Sequence, residues 1–360
     1  MAVRASADAP EVFEGTEARF TAIATGGMPP YLFRWDLHDG PADADLSDAT
    51  SAAVTTDPLP QPGRYVFRVV TTDSEGSHAT AFVTVDARSA VNANAPALAR
   101  VGEPVVLTVE LDDAPAGATV EWRVVQGTAS LTDPTSPNPT LTTSTGETVV
   151  VRLTTTLPSV DGSPTVATRS FEIASVFDLH PRVRIETNRG EITLELDAEA
   201  APLHAANFLL YVDDGFYEGL LFHRNACSVD AESGECEPFV LQGGAYRRVN
   251  EELELRAPTR DPVPSEADNG LSNGVVYSVA LALGGGDPDS GTTQFFINLD
   301  ADNGFLDEQD FTVYAVVVDG TDVVDAIVAA ERTDSPIIFG EMSLPVEDVI
   351  IQRIVRVTPG

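Results

Sequence analysis

"LFHRNACSVDAESGECEPFVLQGG", residues Leu221–Gly244, holds both cysteines of a 360-residue chain, nine positions apart. An exposed-looking Phe-His-Arg precedes them, and Phe239-Val240-Leu241-Gln242 follows, running from apolar to polar before a Gly-Gly pair. What the cysteine segment does, and what Arg224 and Gln242 do on either side of it, decides how the C-terminal half of the chain is read.

The totals set the frame. A chain of 360 residues is too long for one ordinary core and implies two or three domains. Hydrophobic residues make up 43%, and 56 Asp+Glu face 21 Lys+Arg for a net charge of −35. Such a chain repels nucleic acid and anionic membranes, and its acidity reads as solubility in a salty or extracellular setting. The sequence contains no lysine, which excludes a Walker A lysine, a Schiff-base lysine and a lysine general base. "LGGGDPDSG" (283–291) is therefore glycine-rich without being a phosphate cradle of that type. His38, His78, His180, His204 and His223 show no metal-ligand spacing. "DADNG" (300–304) lacks the sixth-position glycine and twelfth-position glutamate of an EF-hand loop. No apolar run approaches the ~18 residues of a membrane span. Arg4 and Asp8 follow Met1 too closely for a signal peptide, so the chain is either cytoplasmic or begins after a removed export signal.

Residues 1–87 alternate apolar and polar in short runs separated by Gly/Pro/Asp turns: 18–26, 31–37, 63–73 and 78–87. That pattern predicts an all-β sandwich. "GGMPPYLFRWDLHDG" followed by "GRYVFRVVTTDSEG" resembles the polycystic-kidney-disease (PKD) type of immunoglobulin-like domain, with Trp35 as its core tryptophan. Residues 88–177 repeat the theme with strand-like runs at 103–111, 118–126, 147–156 and 168–174 and one early tryptophan, Trp122. They predict a second immunoglobulin-like sandwich. Neither sandwich has a cysteine or clustered catalytic residue types, and both read as spacers or weak binding modules.

From 178 the texture changes. "RVRIETNRGEITLELDAE" (182–199) predicts a hairpin turning at Asn188-Arg189-Gly190. "APLHAANFLLYVDDGFY" (201–217) predicts a helix started by Pro202 and stopped by Gly215, and "TDVVDAIVAAE" (321–331) a second one. This segment carries 34 acids and 11 bases, −23 of the total charge.

Six ordered motifs here resemble the cyclophilins, the peptidyl-prolyl cis–trans isomerases, and look closest to bacterial members. They are "ETNRGEITLELD", "APLHAANFLLYVDDGFYEGLLFHR", "FVLQGG", "PSEADNGLSNG", "DPDSGTTQFFINL" and "FLDEQDFTVYAVVVDGTDVVD", spanning about 182–330. The resemblance implies a closed eight-stranded β-barrel capped by two helices. The expected fold is thus mainly β: two sandwiches, 1–87 and 88–177, followed by a cyclophilin barrel over 178–360.

The implied chemistry suits the composition. Rotation about an X-Pro bond crosses a barrier of ~18–20 kcal/mol and leaves a lone pair on the prolyl nitrogen. A donor aimed at that nitrogen, beside an apolar grip on the ring, favours the twisted state, with no nucleophile, metal or cofactor required. By resemblance, Arg224 is the donor and Gln242 orients it and the substrate backbone. Phe239, Phe296 and Leu306 wall the proline pocket, and Val240, Ala280, Ala282, Gln294, Phe305 and Phe311 border the substrate path, with Asn298 near it. The chain departs from the family pattern in several places. Val240 stands where methionine is common, Phe305 where eukaryotic members carry tryptophan, and Phe311, preceded by an extra residue, where many carry histidine. Gly284–Gly286 looks inserted.

Relative to the family, "ACSVDAESGEC" is surplus. A disulfide between Cys227 and Cys236 would close a small loop bordering Arg224; two free thiols in a mobile insertion is the alternative. A disulfide implies an oxidising compartment. The expected function is isomerisation of X-Pro bonds in extracytoplasmic proteins, assisting their folding, by a secreted, periplasmic or cell-surface protein whose signal segment has been removed, with a lipid anchor on that segment as one mode of attachment. The partners are proline-containing segments or client proteins, not nucleic acid. The alternative is a non-catalytic proline-peptide-binding module in an adhesion or scaffold protein.

Overall fold

The computed structural model describes residues 1–357 apart from 90, 112–113, 115, 159–163, 230–235 and 339. The first sandwich packs the sheet of Ala2–Ala7, Arg19–Thr25, Ala53–Thr56 and Leu46–Ser47 against that of Glu11–Phe13, His78–Arg88, Gly63–Thr72 and Leu32–Asp39. The period-2 pattern of 63–72 puts Tyr65, Phe67 and Val69 inward, where they meet Phe20 and Trp35. Trp35 is buried and its indole N–H donates to the Ser51 carbonyl at 3.0 Å, the core role expected for it.

In the second sandwich Trp122 is buried among Leu107, Leu141, Val151 and Leu153. The run 103–111 forms two short strands instead of one. Pro104–Val106 pairs with Thr140–Thr143, and Thr108–Glu110 pairs with Asn92–Asn94, so the chain changes sheets at the fully buried Leu107.

The closed eight-stranded barrel is built from β1 (Arg182–Thr187), β2 (Gly190–Leu196), β3 (Leu221–Val229), β4 (Cys236–Gly243), β5 (Ser278–Leu281), β6 (Phe295–Asn298), β7 (Val313–Asp319) and β8 (Val349–Val357), in the order β1-β2-β7-β5-β6-β4-β3-β8. Two α-helices accompany it, α1 (Pro202–Asp213) and α2 (Thr321–Val328). Pro202 opens α1, and Gly215, at φ +65°, lies just past its end in the left-handed region open to glycine. A 3-10 helix spans Ala301–Gln309. The "DADNG" stretch that superficially resembles a calcium loop forms its start, with the Asp300 carboxylate accepting from Asp302 N.

The second sandwich and the barrel interlock. The strand Thr165–Val176 sends Ala174 and Val176 into the same apolar cluster as the barrel interior. On β8, Arg356 donates to both Asp213 carboxylate oxygens (2.7 and 2.6 Å), and its Nη1 donates to the carbonyls of Gly146 (2.8 Å) and Ser175 (2.6 Å). Arg260 likewise bridges Glu172 of the sandwich and Asp214 after α1, each at 2.7 Å. Replacing Arg356 by Met keeps the aliphatic stem but leaves a carboxylate and two carbonyls short of a donor, at a cost of about 2 kcal/mol. Both tryptophans, Trp35 and Trp122, lie outside the barrel. If sandwich and barrel unfold together, this barrel substitution lowers the urea midpoint reported by tryptophan fluorescence; an unshifted midpoint would contradict the interlock.

Candidate active site

Strand alternation makes one face of the barrel wall its core and the other a surface for chemistry. Leu241, Phe295, Ile297, Val279 and Leu281 face inward and join the main core. On the outer face, Arg224 of β3 lies opposite Gln242 of β4, Gln242 opposite Phe296 of β6, and Phe296 opposite Ala280 of β5. These four residues form a row across four neighbouring strands, charged at one end and apolar at the other. The next row sets Ala226 opposite Val240 and Val240 opposite Asn298.

The apolar end is a separate cluster on the outside of the barrel. Ala226, Val240, Ala280, Phe296, Leu306 and Val313 are buried in it, with Phe239, Leu271, Ala282 and Phe311 packed against them. Phe239 and Phe305 lie parallel with centroids 6.1 Å apart, Phe305 remaining 49% exposed. Phe296 meets Phe311 edge-on at 5.6 Å. The extra residue before Phe311 is Asp310, which takes φ +60° at the end of the 3-10 helix. Phe311 then turns back and its N–H donates to the Leu306 carbonyl at 3.3 Å.

At the polar end a chain of hydrogen bonds runs along the row. Arg224 Nη1 donates to Gln242 Oε1 at 3.2 Å, and Gln242 Nε2 donates to Gln294 Oε1 at 3.0 Å. Arg224 Nε donates to Glu341 Oε1 at 2.9 Å. Among the described residues nothing accepts from Arg224 Nη2. The guanidinium is partly buried, with 22% of the side chain exposed.

The rim is pinned from behind. Asp307 sits in the 3-10 helix between Leu306 and Phe311 and accepts from Ser272 Oγ (2.5 Å), Asn273 N (2.8 Å) and Asn273 Nδ2 (2.8 Å). Burial pushes its pKa up, but these donors outweigh it and hold the carboxyl below its ordinary value. Asn298 is fully buried and donates to Asn273 Oδ1 and Ser278 Oγ, while Asn303 donates to Asn298 Oδ1 and to the Phe239 carbonyl. Asn298, expected near the substrate path, lies opposite Val240 and is a member of this buried amide network, which ties the segments around the apolar cluster together.

Cys227 and Cys236 form a disulfide with Cα atoms 5.4 Å apart, joining the outer ends of β3 and β4. The middle of the cysteine loop, 230–235, lies outside the described residues.

Residues 182–356 match the family described as cyclophilin type peptidyl-prolyl cis-trans isomerase, and residues 28–86 match a PKD domain family. Peptidyl-prolyl cis-trans isomerase cyp18 of Streptomyces antibioticus is 37% identical over 177 residues, covering 47% of this chain and 95% of that one. Peptidyl-prolyl cis-trans isomerase B of Escherichia coli (strain K12) is 35% identical over 181 residues, covering 48% and 97%. Peptidyl-prolyl cis-trans isomerase A of Dickeya dadantii (strain 3937) is 36% identical over 174 residues, covering 47% and 81%. The chain belongs to the cyclophilin-type peptidyl-prolyl cis-trans isomerase family.

Within this cyclophilin barrel, two features of the site escaped sequence reasoning. Glu341 is 117 positions from its partner Arg224, and nothing local to "GEMSLP" announces the pairing. His223, next to Arg224, is nearly fully buried against the Tyr246 ring, centroids 4.8 Å apart. Burial lowers its pKa to about 4, the neighbouring Arg224 charge adding to the effect while a backbone hydrogen bond at Leu221 opposes it. Its imidazole is therefore neutral near pH 7.

This shift makes His223 a liability in acid. The unfolded imidazole, with its ordinary pKa of about 6.5, takes up a proton as pH falls below that value; the folded one resists until about 4. Its contribution is thus complete above 6.5 and drains away toward 4, up to ~3 kcal/mol at 1.36 kcal/mol per unit. Urea titrations at pH 6.5 and 4 should show that His223→Phe loses less stability on acidification than the native chain. Equal losses would show that the imidazole does not titrate this way.

Proposed function

We propose that the outer row of the barrel is a prolyl isomerase site: Arg224 the donor to the prolyl nitrogen, Gln242 and Gln294 the groups that orient it and the peptide backbone, and Phe239, Phe296, Leu306 and Phe311 the socket for the ring. Val240, Ala280, Ala282 and Phe305 border the peptide's path. The observation that carries this reading is the register Arg224–Gln242–Phe296–Ala280, which sets a cationic fork beside an apolar cluster on one surface. Uncatalysed X-Pro isomerisation takes tens to hundreds of seconds at 25 °C. As the C–N bond twists, conjugation is lost and the nitrogen lone pair becomes an acceptor. A guanidinium N–H held toward it binds the twisted state better than either planar one. Arginine suits this task because it keeps its charge at any ordinary pH and its donors form a rigid plane.

We infer further that 178–360 is the catalytic unit and 1–87 and 88–177 are spacers, and that the protein acts outside the cytoplasm on proline-containing segments of client proteins, assisting their folding. The disulfide supports that location, since such bonds persist in oxidising compartments. It closes a loop of about ten residues, worth ~2–3 kcal/mol in the chain-entropy model. The second reading is a module that grips proline segments without turning them. The specific observation in its favour is that Glu341 already occupies one edge of Arg224.

A proline-peptide isomerisation assay on the full chain separates the two. Arg224→Ala should lower kcat/KM by ~100- to 1000-fold, the loss of one transition-state donor, while peptide binding persists through the apolar socket. Catalysis equal in the native chain and Arg224→Ala would reject the isomerase reading. A native chain that binds the peptide without accelerating its isomerisation would establish the gripping module.

A further inference from the structure

Beyond Phe222, β3 has no barrel neighbour on its β8 side, because its pairing with β8 stops at Leu221 and Phe222. A second hairpin occupies that edge. Its strands are Arg332–Asp334 and Met342–Pro345, in antiparallel register. Two observations show that it is anchored, and a third that its tip is closed. Ser343 and Leu344 are buried. Ser335 N donates to the Glu341 carbonyl at 2.8 Å, closing the tip. Arg332 donates to the Asn225 carbonyl at 3.3 Å and contacts Cys236 Sγ at 3.1 Å, which ties the hairpin to both β3 and the disulfide. From this base Glu341 reaches Arg224 on the side away from Gln242.

We propose that Glu341 is a positioning residue for Arg224, resting on the isomerase reading above. A planar guanidinium held at Nε by a carboxylate and at Nη1 by an amide is fixed in both plane and direction. Among the described residues nothing accepts from Nη2, the donor a twisted prolyl nitrogen would use. Anchoring only one edge would let the fork swing about that single bond. Because the arginine is already immobilised, no ordering cost falls on the rotation step. Glu341 touches neither socket nor peptide path in this arrangement; it acts through Arg224 alone.

The test is a double-substitution cycle in the full chain, with kcat, KM and peptide affinity measured for each variant and the fold checked by circular dichroism. Glu341→Ala should lower kcat about tenfold, with KM and peptide affinity nearly unchanged. Glu341→Gln keeps an oxygen acceptor for Nε and should recover most of the rate. In the Arg224→Ala background, Glu341→Ala should change nothing further. Three results overturn the proposal: a native rate in Glu341→Ala, a faster rate in that variant (which would make the carboxylate a brake), or the same proportional loss with and without Arg224, the signature of a merely structural role. Each of these is read with Arg224→Ala alone slow. If Arg224→Ala alone runs at the native rate, the isomerase reading itself falls and takes this one with it.

Discussion

The pairing of β3 with β4 is the constraint on which the site depends. Its register sets Arg224 against Gln242, and a one-residue slip of either strand would send that strand's side chains to the opposite face. The β4–β6 and β6–β5 registers then propagate that choice across the wall. A single decision about pairing therefore creates two surfaces at once. The inward residues make the core that holds the barrel closed, and the outward ones make a graded strip from guanidinium to phenyl ring. The disulfide acts on this same pair of strands. It links Cys227 to Cys236 just past a bulge between Ala226 and Cys227, alongside the last pairs of the ladder, Cys227–Pro238 to Val229–Cys236.

Much of this arrangement could be read from residue order. The hairpin at 182–199, the Pro202 start and Gly215 stop of α1, and the alternation in both sandwiches outside 103–111 are local signals, and each corresponds to an element in the folded chain. The pocket residues came from motif order instead. Periodicity cannot distinguish Phe296, which faces the socket, from Phe295, which faces the core, until the register of the neighbouring strands is known. What could not be read depends on distant partners. The run 103–111 looks like one strand because its alternation is continuous; its division at Leu107 is imposed by two different neighbours. Asn298 sits beside socket residues in sequence, yet its amide is consumed by Asn273, Ser278 and Asn303. The end of the second sandwich looks like its own strand and is also part of the barrel's core, through Ala174 and Val176.

The acidity of the chain gives the Glu341–Arg224 pair its wider meaning. The chain has 56 acids to 21 arginines and no lysine, and most of its arginines pair with a carboxylate. Arg64, Arg68, Arg182, Arg247, Arg248, Arg353 and Arg356 are all engaged by acidic side chains. Several of these pairs are two-pronged, with Nε and Nη2 both taken, as at Arg68–Asp36 and Arg248–Asp348. On the proposed reading, a donor for a substrate nitrogen could not take that geometry, since a bidentate carboxylate would block the approach of a peptide. Arg224 is held differently. Glu341 engages Nε through one oxygen and a neutral amide engages Nη1. Under the same proposal, a neutral glutamine beside the apolar cluster adds no second negative charge along the peptide's path. On the isomerase reading, a carboxylate on Nε and an amide on Nη1 leave Nη2 without an acceptor among the described residues, and a hairpin held by buried Ser343 and Leu344 and by Arg332 keeps that carboxylate in place.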